Sequence, residues 1–364
     1  MRKLSGSQIV WMIVTTEIVA IIGINITPAI LISKQDTWIS MLVAGGIGAA
    51  LTFLVVHLSM LHPNQTLTQF SQALLGKWLG RLIVLPYLIA WYTLSAYLLR
   101  SFSGFLKPLL IDRTPLWIIM LLLLGLMVYL TYSAGITGIG RYCEIVGPII
   151  IFVLIVSFIL NAGNTDWHHL LPVYADTGWV TILRGSLRPA LWFAGPFTLL
   201  VVVAFMQNPQ KALSKSMLGV GITVVMVFTA TLMVLLVFGP NLAAKIRFSY
   251  FMYVRTIDIL NFIQNMDIFI VFVWIFAVTA QLSLFLFVAS YETAQLFNVK
   301  NWRNIIWFSP PAILIMAILI PNETVLAIYD QFWVSVIFPV CGIGIPLLLW
   351  IVSVVKKKAS ESKV

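Results

Sequence analysis

Apolar runs of roughly 20 residues, the length needed to cross a lipid bilayer, recur along almost the entire chain. They fall at about 9–33, 38–61, 82–106, 115–133, 141–161, 180–206, 216–238, 266–291, 303–320 and 331–355. Of the 364 residues, 61% are hydrophobic and 9% are charged, whereas soluble domains carry about 25% charged residues. The sequence therefore predicts an all-α polytopic membrane protein with ten transmembrane helices. The first run is too long for a signal-peptide core and lacks a small-residue cleavage site, so we expect it to be retained.

The charged residues between the runs predict the orientation in the membrane. Ten crossings place both termini on one face, and cytoplasmic loops carry the excess of lysine and arginine. The face with the termini has 13 basic residues, Arg2, Lys3, Lys77, Arg81, Arg141, Lys211, Lys215, Lys300, Arg303, Lys356, Lys357, Lys358 and Lys363, and three acidic ones, Glu144, Glu292 and Glu361. The opposite face has eight basic residues, Lys34, Lys107, Arg113, Arg184, Arg188, Lys245, Arg247 and Arg255, and eight acidic ones, Asp36, Asp112, Asp166, Asp176, Asp258, Asp267, Glu323 and Asp330. Both termini are therefore predicted to be cytoplasmic, and the net charge of +10 reflects topology and not a nucleic-acid partner.

Two of the apolar runs contain sequence that interrupts a helix. The first run includes Gly23–Pro28 (GINITP), and the sixth includes Trp192–Phe197 (WFAGPF). The proline in each segment removes the hydrogen-bond donor that the carbonyl of Ile24 or of Trp192 would have in a regular helix. In hydrocarbon, such groups are tolerated where they line a buried cavity or bind something. Paired broken helices are typical of a transporter-like binding site, although a plain kink remains the alternative for each.

The two breaks lie five spans apart, which predicts an internal repeat. An odd number of crossings reverses each half, so residues 1–161 and 180–355 are expected to form a 5+5 inverted repeat with discontinuous helices 1 and 6. The whole chain, 1–364, is then a single integral membrane domain. Residues 356–364 are predicted to be a basic cytoplasmic tail.

Two connections between the runs are long. Residues 62–81 alternate with helical period and predict an amphipathic helix on the inner surface, with the apolar positions Leu67, Phe70, Leu74, Leu75 and Trp78. Residues 239–265 form the largest outer loop and contain Phe248, Tyr250, Phe251 and Tyr253. We interpret these aromatic residues as a membrane-interface belt, with a lid or a partner surface as the alternative.

Four segments along the chain resemble the spore germination permease family, the B subunit of nutrient germinant receptors in spore-forming bacteria. They are Leu75–Gly80 (LGKWLG), Asp112–Pro115 (DRTP), Asp166–Val173 (DWHHLLPV), and Met266–Phe269 (MDIF) with Trp274. The resemblance implies the fold of the amino acid–polyamine–organocation transporter superfamily and a location in the spore inner membrane. It also implies an A subunit with cytoplasmic and membrane parts and a C subunit that is a lipoprotein.

The sequence departs from this family at both breaks. Relatives often carry Gly-x-Gly at the first break, where this chain has Ile21 and Gly23. Many carry an acidic residue two places after the glycine of the sixth span, where this chain has Phe197. These departures concern the identity of the ligand and the coupling to cations, and they leave the superfamily fold as expected.

A broken helix presents unpaired N–H groups from one half and unpaired carbonyls from the other. A zwitterion satisfies both ends, which favours an α-amino acid and agrees with the resemblance. Asn25 and Thr27 can add hydrogen bonds, and Trp192, Phe193 and Phe197 can wall the side-chain pocket. The ligand-binding residues are therefore predicted to be Gly23, Ile24, Asn25, Thr27, Tyr97, Arg100, Trp192, Phe193, Gly195 and Phe197.

Two ionisable residues fall inside the apolar runs, where such groups usually face the protein interior and are paired. Glu17 lies a few residues from the first break and is a candidate proton or cation site. Arg100 aligns with an arginine in relatives, with snorkelling to the headgroups as its alternative. On the third span, Tyr87 and Tyr92 can reach the cavity as Tyr97 does, although interface or packing roles are favoured for these tyrosines.

The remaining polar residues suggest no catalytic or metal centre. Arg184 and Arg188 share a helix face and either attract an anionic group or, as we favour, pair with Asp166 or Asp176. Adjacent histidines at 168 and 169 do not converge easily on one metal, so a zinc site is rejected. Cys143 and Cys341 are interpreted as packing residues. We expect no metal, no cofactor and no enzymatic activity.

The leading functional hypothesis is a germinant-sensing membrane subunit, in which binding of an amino-acid-like molecule is signalled to partner subunits. The alternative is an amino-acid permease that moves its substrate across the bilayer. Both require a transporter fold with a central ligand site.

Overall fold

The computed structural model describes residues 3–110, 112–258 and 267–361, and the regular elements in these residues are helices joined by short turns. The α-helices are α1 (Gly6–Ile24), α2 (Ile26–Ser33), α3 (Thr37–Leu61), α4 (Leu67–Leu75), α5 (Lys77–Leu110), α6 (Leu116–Leu160), α7 (Gly178–Phe193), α8 (Leu199–Val202), α9 (Ala212–Ala243), α10 (Ser249–Arg255), α11 (Asp267–Leu296), α12 (Ser309–Ile318), α13 (Glu323–Phe332) and α14 (Ile345–Glu361). A π-helical stretch, Trp333–Gly344, joins α13 to α14. Among the predicted features, Met266, Arg2, Lys363 and the end of the 239–265 loop lie outside the described residues.

The predicted polytopic helical architecture is confirmed. Seven helical stretches in the described part of the chain are long and apolar enough to cross a membrane. The ten predicted runs all lie on helices, but two of them fall on the single helix α6, which is interrupted by non-helical backbone at Gly135 (φ 60°, ψ −162°). The sixth and ninth runs are divided into shorter helical pieces, so the number of ten crossings stays a prediction.

Residues near both termini lie on the same face of the molecule. The Lys3 ammonium donates to the Asn64 side chain at 3.2 Å, and the Lys356 ammonium donates to the Leu74 carbonyl at 2.7 Å. Both therefore contact the connection between α3 and α5. On the opposite face, the Gln35 side chain donates to the carbonyl of Pro172 at 3.0 Å.

The predicted amphipathic helix is present as α4, and most of its predicted apolar positions face protein, whereas Trp78 lies at the start of α5 and is 84% exposed. Leu67, Phe70 and Leu74 are buried against protein, because α4 packs against α5 and α11. The buried Glu292 carboxylate of α11 accepts from the backbone N–H and the hydroxyl of Thr68 at 2.8 and 2.6 Å. The carboxylate meets the positive end of α4, which stabilises the docked helix.

The aromatic residues of the outer connection do not form an interface belt. Tyr250 and Tyr253 of α10 are 1% and 0% exposed, and their hydroxyls bind Ser157 of α6. The belt interpretation is wrong because α10 folds inward and packs on α9 and α11. Phe248, just before α10, lines a cavity on the outer face, which is the position that the lid alternative requires.

Candidate functional site

The first helix break is short. Asn25 separates α1 from α2, with φ −113° and ψ −16°, and is completely buried. Its amide nitrogen donates to the Ala20 carbonyl at 2.8 Å, while its amide oxygen has no partner. The hydroxyl of Thr27 donates to the carbonyl of Ile246 at 2.8 Å and lies 3.0 Å from the Ser249 hydroxyl. The outer half of the broken helix is thereby fixed to the segment before α10.

The second break is longer and distorts the backbone more strongly. After α7, residues 195–197 form a single 3₁₀ turn in which Gly195 and Phe197 have φ values of 53° and 62°. A phenylalanine in this left-handed region costs of order 1–3 kcal/mol, and such strain is concentrated at functional sites. The Phe197 ring is buried and meets the Tyr87 ring edge-to-face, with the centroids 6.2 Å apart.

Glu17 lies directly against the second break. A Cβ atom placed on Gly195 would be 3.1 Å from Glu17 Oε1. The Glu17 side chain is 1% exposed, and both of its carboxylate oxygens lack a hydrogen-bond partner. The second break thus lies beside an intramembrane acid that α1 supplies.

An outer cavity of about 600 Å³ opens beside the first break, on the face opposite the termini. Its walls come from α2, the outer ends of α5 and α7, the segment 244–248 and α13. This volume lies within the range of about 300–1,000 Å³ typical of small-molecule sites. Its charged lining residues are Arg184, Arg188, Lys245, Arg247, Glu323 and Asp330.

An ion pair crosses the wall of the outer cavity. Arg188 Nε of α7 lies 2.8 Å from Asp330 Oδ2 of α13, with the two side chains 23% and 15% exposed. The Arg188 guanidinium also donates to the Tyr97 hydroxyl at 3.5 Å, and the Tyr97 ring stacks on Tyr329. The predicted pairing of Arg188 with Asp166 or Asp176 is therefore wrong. Asp166 binds the backbone N–H and ring of His168 instead, and these bonds, led by the backbone bond, lower its pKa.

A second, small pocket lies behind this ion pair. It is lined by Trp192, Tyr329 and Trp333, and it shares Tyr97 and Asp330 with the outer cavity. These two shared side chains form the partition between the open cavity and the interior.

Arg100 lies at the edge of the outer cavity and does not line it. Its guanidinium donates to the carbonyl of Ile320 at 3.0 Å, just beyond the end of α12, and lies 3.9 Å from Glu323 Oε1. Arg247 lies 2.7 Å from the same carboxylate oxygen. Both cations thus bind the Glu323 carboxylate, which is 53% exposed. Arg100 therefore contacts protein groups and does not extend towards lipid headgroups, as the snorkelling alternative required.

The predicted ligand residues fall into three groups. Ile24, Thr27 and Tyr97 line the outer cavity, and Trp192 lines the small pocket. Gly23 lies outside both, where a Cβ atom would be 2.9 Å from Trp274 Nε1. The others line neither space: Asn25, Arg100, Phe193, Gly195 and Phe197. Of the three tyrosines of α5, Tyr87 and Tyr92 hydrogen-bond to Cys341 and Ser309.

The sequence reasoning missed Asp330 as a site residue, since it was assigned to the outer surface. A signal was available, because Asp330 directly precedes the last apolar run, and ionisable residues within membrane spans are usually paired and functional. The sequence could not identify Arg188 as that partner, because 141 intervening residues separate the two positions along the chain.

Comparisons with known proteins agree with this architecture. A family model described as spore germination protein matches residues 3–327. Spore germination protein YndE of Bacillus subtilis is 24% identical, with 90% of each chain covered. Spore germination protein KB of the same organism is 26% identical, with 99% of this chain and 96% of that protein covered.

A solved structure shows the fold. Mhp1, a nucleobase-cation-symport-1 family transporter in a closed conformation with bromovinylhydantoin bound, superposes with a TM-score of 0.63 at 14% sequence identity. The match covers 93% of this chain and 78% of that transporter. The predicted transporter-like fold is thereby confirmed, and the likeness concerns the fold alone.

Proposed function

The chain belongs to the spore germination protein family, and from this membership we propose that it is the germinant-binding membrane subunit of a nutrient receptor. The observation that supports ligand binding is the outer cavity of about 600 Å³. Its lining includes residues of the first broken helix and both members of the Arg188–Asp330 pair. We propose a role in binding and signalling, with no catalytic step.

The cavity favours an α-amino acid as the germinant. Arg188 and Asp330 present one positive and one negative group side by side at the cavity wall. A zwitterion entering here places its carboxylate against the guanidinium and its ammonium against the Asp330 carboxylate, both as charge-assisted hydrogen bonds. The protein pair and the ligand then form an alternating array of four charges, in which no charge is left unpaired.

Binding at this position also provides a route for signalling. Arg188 belongs to the outer half of the sixth span, whereas Asp330 belongs to the last span. A ligand that binds both members of the pair changes the contact between α7 and α13 beside Tyr97. To reverse a two-state equilibrium almost completely, it must favour one state by about 5.5 kcal/mol. We propose that the predicted A and C subunits respond to this change.

The ligand class is tested by thermal shift of the full-length protein in detergent. Each amino acid in a panel is compared with the amine that lacks its carboxylate and the acid that lacks its ammonium. We expect only the parent amino acid to raise the melting temperature, because a site built to hydrogen-bond a group rejects analogues lacking it. Stabilisation by a sugar or nucleoside, with no amino acid effective, would exclude the zwitterion model.

The transporter-like fold also favours a second candidate, an amino-acid permease that moves its substrate. Reconstituted vesicles distinguish the two functions, since a permease accumulates a radiolabelled amino acid that stabilises the protein. A sensor binds the same amino acid without uptake. Spores that lack the protein and are exposed to single nutrients then identify the germinant that depends on it.

The proposed location is the spore inner membrane with both termini in the cytoplasm. Single cysteines at Lys77, Lys211 and Lys300 should react with a membrane-impermeant maleimide only from the cytoplasmic side, and one at Asp166 only from outside. The excess of basic residues on the first face is the physical reason. The two native cysteines are buried and serve as the unlabelled background. Labelling of Lys211 from outside would contradict this orientation.

A further inference from the structure

We propose that Glu17 and the unwound segment 194–198 form a binding site for a monovalent cation, with Na⁺ as the cation to test. The site lies between α1 and the 3₁₀ turn of the sixth span. It is separate from the outer cavity, which Glu17 does not line. The proposal therefore does not depend on the identity of the germinant.

The carboxylate is the first element of the site. Glu17 is 1% exposed, and neither oxygen has a hydrogen-bond partner. Among the described residues, none of the ion pairs formed by lysine, arginine or histidine involves Glu17. An isolated charge in the membrane interior is expensive and is normally compensated by a partner. A protonated carboxyl would still require an acceptor for its O–H group, whereas a cation satisfies both oxygens together.

The unwound backbone is the second element. Gly195 has a φ of 53°, and the segment turns so that the Phe197 and Thr198 N–H groups donate to the carbonyls of Ala194 and Gly195. Glu17 Oε1 and Thr198 Oγ1 lie 3.1 and 3.8 Å from one point, the position of a Cβ atom on Gly195. Carboxylate, hydroxyl and carbonyl oxygens are the ligands that hard cations prefer. Glycine at 195 therefore lets the Glu17 carboxylate approach the turn, whereas a side chain at this position would meet it.

A cation at this position would join α1 to the second break. Glu17 belongs to the inner half of the first broken helix, and residues 194–198 connect the halves of the second. Binding would hold α1 against the turn, and loss of the cation would release that contact. We infer that cation occupancy stabilises one arrangement of the two broken helices.

The test is a thermal unfolding titration of the full-length protein in detergent without any amino acid. NaCl replaces N-methyl-D-glucamine chloride at constant ionic strength, and tryptophan fluorescence reports the melting temperature. We expect the melting temperature of the unsubstituted protein to rise with the logarithm of the Na⁺ concentration, as binding to the folded state requires. Glu17→Gln should abolish this dependence, and binding of radioactive ²²Na⁺ should be lost in parallel.

Glu292→Gln is the matched control, since Glu292 is the other fully buried glutamate of a span but has Thr68 as its partner. We expect this variant to melt at a lower temperature and to keep its Na⁺ dependence. If Glu17→Gln does not fold, Glu17→Asp is the second variant, since it retains the carboxylate on a side chain one methylene shorter. It should need a higher Na⁺ concentration for the same rise in melting temperature. An unsubstituted protein that is insensitive to Na⁺, or a Glu17→Gln protein that responds normally, would overturn the proposal.

Discussion

Replacing Asp330 by asparagine should weaken amino-acid binding by about thirtyfold or more and abolish germination in response to that amino acid. The substitution keeps the shape of the side chain but removes the negative charge that faces the ligand ammonium. It also leaves Arg188, which is 23% exposed, without its partner at 2.8 Å. Both side chains are largely shielded from solvent, and removing one partner of a buried charge pair costs about 2–5 kcal/mol. Each 1.4 kcal/mol is a factor of ten in affinity.

Substitutions of Asp330 and of Arg188 should impair ligand recognition in different ways, which makes the prediction specific. Asp330→Asn removes the partner of the ammonium, so the variant should no longer distinguish an amino acid from its deaminated acid. Arg188→Gln removes the partner of the carboxylate, so it should no longer distinguish an amino acid from its decarboxylated amine. The measurement is the ligand-induced shift in melting temperature with matched amino acid, amine and acid.

Glu323→Gln is the control at the rim of the same cavity. Glu323 is 53% exposed and contacts Arg247 and Arg100, and exposed ion pairs contribute only about 0–1 kcal/mol. Ligand affinity should therefore change by a few fold at most. If Glu323→Gln weakens binding as strongly as Asp330→Asn while discrimination among the analogues is unchanged, the cavity attracts ligands through its overall charge and the zwitterion model fails.

The sequence was sufficient for the helical architecture and for both breaks, because these depend on local chemistry. Long apolar runs predict spans, and a proline removes a backbone donor whatever its neighbours are. The observed break at Asn25 and the turn at 195–197 fall inside the predicted segments. The 5+5 repeat stays a prediction, as do the roles of the individual ligand residues.

The sequence was insufficient where the outcome depended on packing between distant segments. The aromatic residues around Tyr250 have the composition of a membrane-interface belt, yet α10 folds inward and its tyrosines bind Ser157. Arg188 has acidic residues nearer in sequence than Asp330, but α13 brings Asp330 to within 2.8 Å of its guanidinium. The amino-acid composition indicates that a residue is able to form an ion pair or to be buried. Which partner it contacts depends on the tertiary packing.

Replacing Gly48 by valine should prevent stable folding, because α3 packs directly on the end of α7 at this position. A Cβ atom on Gly48 would lie 2.2 Å from Phe193 Cβ and 3.1 Å from the Phe193 backbone carbon. Small residues at helix interfaces allow this close approach of backbones in membranes. The neighbouring Thr52 hydroxyl donates to the Phe193 carbonyl at 3.5 Å, so α3 also fixes the residue that precedes the second break.

Gly46 provides the matched control two residues away on the same helix, since a Cβ atom there has no neighbour within 4 Å. Overpacking of a close contact typically lowers the free energy of unfolding by about 1–3 kcal/mol and occasionally more. We expect the upper end of this range for valine at Gly48, because its side chain would meet the backbone of Phe193. We expect Gly48→Val to give little monodisperse protein on size-exclusion chromatography and a markedly lower melting temperature, with Gly46→Val close to the unsubstituted protein. Gly48→Ala should fall between them, and because it displaces Phe193, its remaining folded fraction should bind the amino acid less tightly. Equal tolerance of valine at both positions would mean that α3 does not hold the second break in place.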